Sequence, residues 1–91
     1  MTSVEIYTRQ YCPYCHFAKE LLSRKGVSFR EIDVTVDPTM RQRMIERANG
    51  STSVPQVFIG STHVGGCDEL YALDEAGELD PLLGQQPAPP A

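Results

Sequence analysis

Residues 4–25 read VEIYTRQYCPYCHFAKELLSRK and join a strand-like stretch to a helix-like one. Residues 4–7 predict a short strand, and the apolar side chains of residues 13–25 recur at helical spacing. Cys12 would then lie at the N-terminus of the helix, where unpaired backbone N–H groups and the helix dipole favour an anion. A thiolate is stabilised in such a position and is the attacking form of cysteine. Cys15, one turn further along, would be close enough to attack a mixed disulfide formed on Cys12.

Two other interpretations compete for this cysteine pair. Cysteines at this spacing also form half of a zinc site, but the only further Cys or His residues are His16, His63 and Cys67. None of these forms a second Cys-x-x-Cys or His-x-x-x-His pair, so the ligand spacing disfavours zinc. A purely structural disulfide is the other alternative, and a loop this short would constrain the unfolded chain only weakly. The pattern therefore favours a redox-active pair over both.

Length and composition limit the remaining possibilities. A chain of 91 residues makes one domain, with no room for a separate substrate domain. The sequence has no apolar run long enough to span a membrane and no secretory signal at its start, so we expect a cytoplasmic protein. Three cysteines, an odd number, argue against a disulfide-stapled secreted scaffold. The net charge of −4, without a basic stripe, argues against nucleic-acid binding.

The rest of the chain continues the alternation of strand and helix signals. We predict a second strand over residues 27–34, and a second helix that begins at Asp37-Pro38 and ends at Asn49-Gly50. Its apolar stripe comprises Met40, Met44, Ile45 and Ala48. Residues 57–59 and 62–64 predict a hairpin with Gly60-Ser61 at its turn. The last helix would start at Cys67 or Asp68.

The predicted order is therefore strand, helix, strand, helix, strand, strand, helix (βαβαββα). This order implies an α/β fold, with one strand-helix-strand crossover and one hairpin in a single four-stranded mixed sheet flanked by three helices. The domain would occupy residues 1–84. Residues 85–91 contain three prolines and lack apolar periodicity, so we predict a flexible Pro-rich tail there.

Three separated motifs within residues 3–83 resemble the glutaredoxin family of the thioredoxin-fold superfamily. Residues 11–15, Tyr-Cys-Pro-Tyr-Cys, are similar to the dithiol glutaredoxin site and unlike the Trp-Cys-Gly-Pro-Cys of thioredoxins. Residues 53–55, Ser-Val-Pro, resemble the family's Thr-Val-Pro loop. Residues 65–69, Gly-Gly-Cys-Asp-Glu, are similar to its Gly-Gly-Cys-Asp-Asp segment. The resemblance implies a thioredoxin fold with Cys12 and Cys15 as the catalytic pair.

The resemblance also implies a binding site for glutathione. The Val54–Pro55 peptide bond would be cis, and the backbone N–H and C=O of Val54 would pair with glutathione as with an added strand. The N–H groups of Cys67 and Asp68 would take the γ-glutamyl carboxylate, and the Asp68 side chain the ammonium group. From the residues alone, an ordinary trans proline at a strand start is favoured for Pro55, and Asp68 would be a helix cap.

Four further residues are predicted around the same site. Arg9 falls where glutaredoxins commonly carry Lys and could attract the glycine carboxylate, although an exposed Arg is often mere surface charge. Tyr14 would line the site with its ring and hydroxyl, or else be a packing residue. Ser53 would stand in the loop position of the family's Thr. Cys67 would contact glutathione through its backbone and otherwise be a partly buried, inert thiol.

The function that the resemblance implies is an enzymatic one, glutathione-dependent thiol-disulfide oxidoreduction in electron transport and cell redox homeostasis. Cys12 would attack a protein disulfide or a protein–glutathione mixed disulfide, and Cys15 or glutathione would resolve the adduct. The expected partners are glutathione, disulfide-containing or glutathionylated proteins with ribonucleotide reductase as a candidate, and, indirectly, glutathione reductase. We expect a monomer that needs no metal and contacts no membrane.

Two alternative functions remain open from the sequence. One is an electron donor to ribonucleotide reductase that is recycled by thioredoxin reductase; redoxins of that type typically replace the Gly-Gly-Cys-Asp segment, which is present here. The other is an iron–sulfur cluster carrier, in which the cluster is bridged by Cys12 and glutathione. By resemblance, the Pro13-Tyr14-Cys15 sequence argues against the carrier.

Overall fold

The computed structural model of the chain describes residues 3–84 and contains eight helices and strands in that range. In chain order they are β1 (Val4–Thr8), α1 (Pro13–Arg24), β2 (Arg30–Asp33), α2 (Pro38–Arg47), β3 (Gln56–Ile59), β4 (Thr62–Gly65), α3 (Cys67–Glu75) and α4 (Leu79–Leu82). The predicted βαβαββα order is confirmed, with α4 as an addition. The predicted tail, residues 85–91, lies outside the described residues.

The four strands form one mixed sheet with the order β2-β1-β3-β4. β1 runs parallel to β2 and antiparallel to β3, and β3 pairs antiparallel with β4. The prediction of a second strand over residues 27–34 was too long, because only Arg30–Asp33 joins the ladder. Val27 and Phe29 instead pack their side chains against the core from outside the sheet.

Helices cover both faces of the sheet, and each face has its own apolar core. One cluster contains buried residues of β1, β3, α1, α3 and α4, and the residue that follows α4: Val4, Ile6, Ala18, Leu21, Leu22, Val57, Ile59, Leu70, Leu79 and Leu83. The other lies under α2 and contains Tyr7, Ile32, Val34, Met44, Ala48 and Phe58. The strands supply both clusters because successive side chains point to opposite faces. The predicted stripe of α2 is confirmed as core, with Met40 and Ile45 packed at its margin.

The boundaries of the first two helices follow from their terminal residues. The Asp37 side chain accepts a hydrogen bond from the N–H of Thr39 at 2.9 Å, and Pro38 occupies the first turn of α2, as predicted. α1 ends before Gly26, which has a φ of +72°. Only glycine adopts this conformation without steric cost, so the helix stops where the sequence indicated.

The number of helices exceeds the predicted three. α4 is a single turn, and four residues are too few to produce a recognisable apolar period. Its formation depends instead on tertiary contacts, since the side chain of Leu79 is fully buried and that of Leu83 nearly so. Within residues 3–84, no helix has both the length and the apolar character needed to cross a lipid bilayer.

Candidate active site

Cys12 and Cys15 lie where the chain turns from β1 into α1. Tyr11 has a positive φ of 56°, which redirects the chain after the strand. Cys12 is the N-cap residue of α1, and its Sγ accepts a hydrogen bond from the N–H of Cys15 at 3.1 Å. The two cysteines are paired as a disulfide with Cα atoms 5.2 Å apart, within the usual range. The nucleophile position predicted from the sequence is therefore also the helix cap.

The two cysteines differ in their exposure. Cys12 is half-buried and therefore reachable from solvent, whereas the Cys15 side chain is only 2% exposed. An incoming disulfide can thus reach Cys12 first, and Cys15 can attack only a partner already bonded to Cys12. Tyr11, Tyr14 and Phe17 are exposed aromatic side chains of the same segment.

A cleft of about 190 Å³ brings the three separated sequence motifs together. Its lining residues are Tyr14 from α1, Ser53, Val54 and Pro55 from the loop before β3, and Gly66, Cys67, Asp68 and Glu69 at the start of α3. The sheet explains the convergence. Because β3 is antiparallel to both of its neighbours, the C-terminal ends of β1 and β4 and the N-terminal end of β3 lie at the same end of the sheet. Six of the seven predicted binding residues line this cleft.

The Val54–Pro55 peptide bond is cis in the structure. The resemblance implied this isomer, whereas the residues alone favoured trans, which is the commoner form of X–Pro bonds. Pro55 is buried, and Val54 is half-buried at the cleft wall. The loop therefore lines the same cleft as Tyr14, which lies between the two cysteines in the chain.

The N-terminus of α3 forms the opposite wall of the cleft. Gly66 is its N-cap, and the Glu69 side chain accepts the Gly66 N–H at 2.8 Å. Gly65 has a φ of +114°, and a Cβ there would lie 2.8 Å from Oε1 of Glu69. The Gly-Gly pair therefore allows the Glu69 side chain to fold back over the helix start. Capping by Asp68 was a wrong interpretation, because Asp68 is the second residue of the helix and exposed.

Arg9 is the predicted binding residue that does not line the cleft. It lines an adjacent cavity of about 230 Å³, together with Val34, Arg41 and Thr52. Ser53 and Val54 line both cavities and so form the wall between them. The sequence reasoning missed Arg41, because a charged residue on the face of α2 resembles ordinary solvated surface. It also missed Glu69 as a wall of the cleft, although the box-like spacing from Gly66 could have indicated it.

Cys67 is half-buried at the first position of α3. Burial raises the pKa of its thiol, and the negative charges of Asp68 and Glu69 raise it further. A raised pKa keeps the thiol protonated at neutral pH, where a protonated thiol is a poor nucleophile. The environment of Cys67 thus matches the inert thiol in the sequence interpretation.

The comparisons with known proteins agree with this geometry. The family model for glutaredoxin matches residues 4–64. The chain belongs to the glutaredoxin family. Glutaredoxin 3 of Escherichia coli K12 is 59% identical to this glutaredoxin over 83 residues, which cover 91% of this chain and 99% of that protein. Cys12 and Cys15 are accordingly the redox-active pair of a thiol-disulfide oxidoreductase.

Two solved structures share the thioredoxin fold of this glutaredoxin. The buckwheat glutaredoxin–glutathione complex matches with a TM-score of 0.83 and 28% identity, covering 91% of this chain and 77% of that one. A structure on metal binding of glutaredoxins matches with a TM-score of 0.71 and 55% identity, covering 93% and 91%. Residues 3–84 contain no group of three or more His, Cys, Asp or Glu side chains that could hold a metal. The expectation that no metal is needed stays a prediction.

Proposed function

We propose that this glutaredoxin is a glutathione-dependent oxidoreductase that reduces protein disulfides and protein–glutathione mixed disulfides. One observation carries the proposal: the cis-proline loop and the N-terminus of α3 line one cleft together with Tyr14, which lies between the two cysteines in the chain. The two walls offer different chemistry, an extended backbone on one side and helix-end N–H groups with a carboxylate on the other. Glutathione has a peptide part and a zwitterionic γ-glutamyl end that match these walls.

Each part of glutathione has a proposed partner. The cysteinyl unit pairs with the N–H and C=O of Val54 as an added strand. The γ-glutamyl carboxylate binds the helix-end N–H groups of Cys67 and Asp68, and the Asp68 carboxylate binds the ammonium group. The glycine carboxylate extends past Ser53 towards the guanidinium groups of Arg9 and Arg41 in the adjacent cavity. Tyr14 and Pro55 supply the apolar surface of the cleft.

The proposed reaction proceeds by thiol-disulfide exchange. The Cys12 thiolate attacks the glutathione sulfur of a mixed disulfide, that S–S bond breaks, and the protein thiolate leaves and takes up a proton. A glutathione thiolate then attacks the Cys12 adduct and releases oxidised glutathione and the Cys12 thiolate. For a protein disulfide, Cys15 instead displaces the substrate from Cys12, and two glutathione molecules reduce the resulting Cys12–Cys15 disulfide. Glutathione reductase and NADPH return oxidised glutathione to the thiol.

The first test is NADPH-coupled reduction of a glutathione mixed disulfide. The assay is run once with glutathione and glutathione reductase, and once with thioredoxin reductase alone. We expect turnover only in the first. Turnover only in the second would contradict the proposal and favour a thioredoxin-reductase-coupled donor, in which Val54, Cys67 and Asp68 build no glutathione site.

The proposal extends to the setting in which the protein works. We propose a monomer that acts in the cytoplasm without a resident metal, with ribonucleotide reductase among its candidate substrates. Anaerobic reconstitution with iron and sulfide addresses the metal directly. A colourless protein is expected, whereas a coloured dimer would favour the cluster carrier instead.

A further inference from the structure

Gln56, the first residue of β3, is a buried polar residue next to the active-site loop. Its side chain is only 3% exposed, and it follows Pro55 directly. Its amide nitrogen donates to the carbonyl oxygen of Ser53 at 3.0 Å and to the hydroxyl of Ser51 at 3.0 Å, with the Ser53 hydroxyl at 3.3 Å. One side chain thus holds two residues of the loop that precedes the cis proline.

Acceptor chemistry fixes the orientation of this amide. The Ser53 carbonyl can only accept a hydrogen bond, so the NH₂ group of Gln56 must face the loop. The amide oxygen then faces β4, where it lies 2.7 Å from Nε2 of His63. His63 must therefore carry a proton on Nε2 and donate it to Gln56.

The ring of His63 packs on a residue of β3 that a side chain of α2 contacts in turn. It stacks on Phe58 with ring centroids 4.9 Å apart and planes at 24°. The guanidinium carbon of Arg47 lies 4.0 Å from the centroid of Phe58. A continuous set of contacts therefore runs from the core under α2, through His63 and Gln56, to Ser53.

We propose that Gln56 is a positioning residue for glutathione binding, and that His63 orients its amide. Ser53 and Val54 form the wall between the two cavities, and the Val54 backbone is the proposed partner of the cysteinyl unit. Gln56 does not line either cavity, so it acts on the ligand only through the loop. This inference rests on the proposed function and adds to it the side chain, that of Gln56, which positions the Ser53–Val54 backbone.

The decisive variant is Gln56→Glu. The carboxylate retains an acceptor for His63 but has no N–H for Ser53, and it places an oxygen against the Ser53 carbonyl. We expect the KM for glutathione to rise about tenfold, the ratio that corresponds to about 1.4 kcal/mol. Because the hydrogen bonds of the Gln56 side chain go to Ser51, Ser53 and His63 and not to the cysteine pair, kcat should stay within about twofold, an energy change of less than 1 kcal/mol.

A second variant approaches the same contact from β4. His63→Phe preserves a flat ring for stacking on Phe58 but removes the Nε2–H, so the Gln56 oxygen loses its donor. We expect the KM for glutathione to rise about threefold. The rise is smaller than for Gln56→Glu because the amide nitrogen of Gln56 can still donate to Ser51 and Ser53. This variant also decides the question if Gln56→Glu does not fold. Partial unfolding alone would lower kcat through the active fraction and leave KM unchanged, so the split between the two parameters separates positioning from stability.

Gln42→Glu is the matched control, because it makes the same chemical change at an exposed position of α2 that lines neither cavity. Backbone amide NMR shifts of residues 51–54 are recorded in the glutathione-free proteins. We expect them to change in Gln56→Glu and His63→Phe but not in Gln42→Glu. A KM within twofold of wild type for both test variants would overturn the inference. If wild type shows no glutathione-dependent turnover, the proposed function fails. In that case the NMR shifts still test the structural part of the inference: unchanged shifts of residues 51–54 in both test variants would show that Gln56 does not position the loop.

Discussion

The two cysteines have the same side chain but occupy different environments. Cys12 is accessible and caps a helix, whereas Cys15 is buried one turn further along. A buried thiol cannot meet a protein substrate directly, but it can meet a sulfur that Cys12 has already brought into the site. The difference in exposure therefore supports the proposed roles, attack by Cys12 and resolution by Cys15.

Serine variants of the two cysteines should have different effects. We expect Cys12→Ser to lose all reduction, because Cys15 is buried and the raised pKa of Cys67 keeps its thiol protonated. Cys15→Ser should retain reduction of glutathione mixed disulfides, which glutathione alone can resolve, and should lose reduction of protein disulfides. The NADPH-coupled assay with each substrate class measures both. Wild-type rates for Cys12→Ser would refute the assignment.

The exposed carboxylate of Asp68 should affect glutathione affinity rather than chemistry. Asp68→Asn retains the size of the side chain but removes the charge that would pair with the γ-glutamyl ammonium group. Hydrogen bonds to charged groups contribute about 1.5–3 kcal/mol, so we expect the KM for glutathione to rise at least about tenfold, with kcat retained. Glu75→Gln, an exposed position at the end of α3, is the control. Equal KM values for the two variants would exclude the proposed contact.

At the scale of the helix, Sγ of Cys12 is both the proposed nucleophile and the atom that caps α1. Sγ of Cys12 accepts the Cys15 N–H, which would otherwise be one of the unpaired donors at a helix start. Substitutions at Cys12 should therefore change stability as well as activity, and the two effects can be measured separately.

The comparison of Cys12→Ser with Cys12→Ala separates them. Both variants should be inactive, but Ser is a good N-cap and Ala a poor one, so Ser should be more stable by about 1 kcal/mol. Urea unfolding under reducing conditions measures this difference. Asp37 caps α2, with its side-chain oxygen 2.9 Å from the N–H of Thr39. The difference in stability between Asp37→Ser and Asp37→Ala therefore serves as a reference for the size of the cap effect at Cys12. Equal unfolding free energies for the two Cys12 variants would show that a side-chain cap at position 12 does not stabilise α1.

The sequence predicted the elements with strong local signals. Asp37-Pro38 and Gly26 mark helix ends by their own conformational preferences, and the prediction of both was confirmed. α4 escaped prediction because Leu79 is buried by tertiary contacts that local periodicity does not contain. The cis bond before Pro55 was implied by family resemblance and not by the residues, and the hydrogen bonds of Gln56 depend on strand pairing between residues far apart in sequence.

At the scale of the whole molecule, the cleft is a product of the sheet topology. Its walls come from α1, the loop before β3 and the start of α3, and only strand pairing brings these segments together. The motifs could be recognised in the sequence, but their spacing did not show that Arg9 would fall in a separate cavity beyond Ser53 and Val54.

Lys25 joins three helices and gives the molecule a pH-dependent contact. It caps the end of α1 and forms ion pairs with Asp74 of α3 and with Asp80 of α4. Hydrogen bonds to Asp74 and then Asp80 raise the pKa of Lys25 above its usual 10.5. A raised pKa means that the folded state holds this proton more tightly than the unfolded state. The stabilisation is therefore complete below pH 10.5 and is lost as the pH rises through the higher folded-state value.

The corresponding variant is Lys25→Met, which retains an apolar stem without the charge. We expect wild type to be more stable at pH 7 by up to about 1 kcal/mol, since these carboxylates are partly exposed. The gap should close as the pH rises beyond 10.5. Urea unfolding of both proteins across this range measures it, and a gap independent of pH would show that packing of the stem, not charge, is responsible.

The pairing of Tyr7 with Gln56 in the β1–β3 ladder limits how the chain can change in length. A strand turns alternate side chains to opposite faces, so an insertion of one residue between Pro55 and Gln56 has two possible outcomes. If the register with β1 shifts by one residue, the side chains of β3 turn to the wrong faces; if the register is kept, the loop lengthens and Ser53 moves away from the Gln56 amide. Homologues should therefore vary in length elsewhere. In a library of single-residue insertions, the variant with an insertion between Pro55 and Gln56 should lose activity, whereas insertions in exposed loops away from the site should retain it.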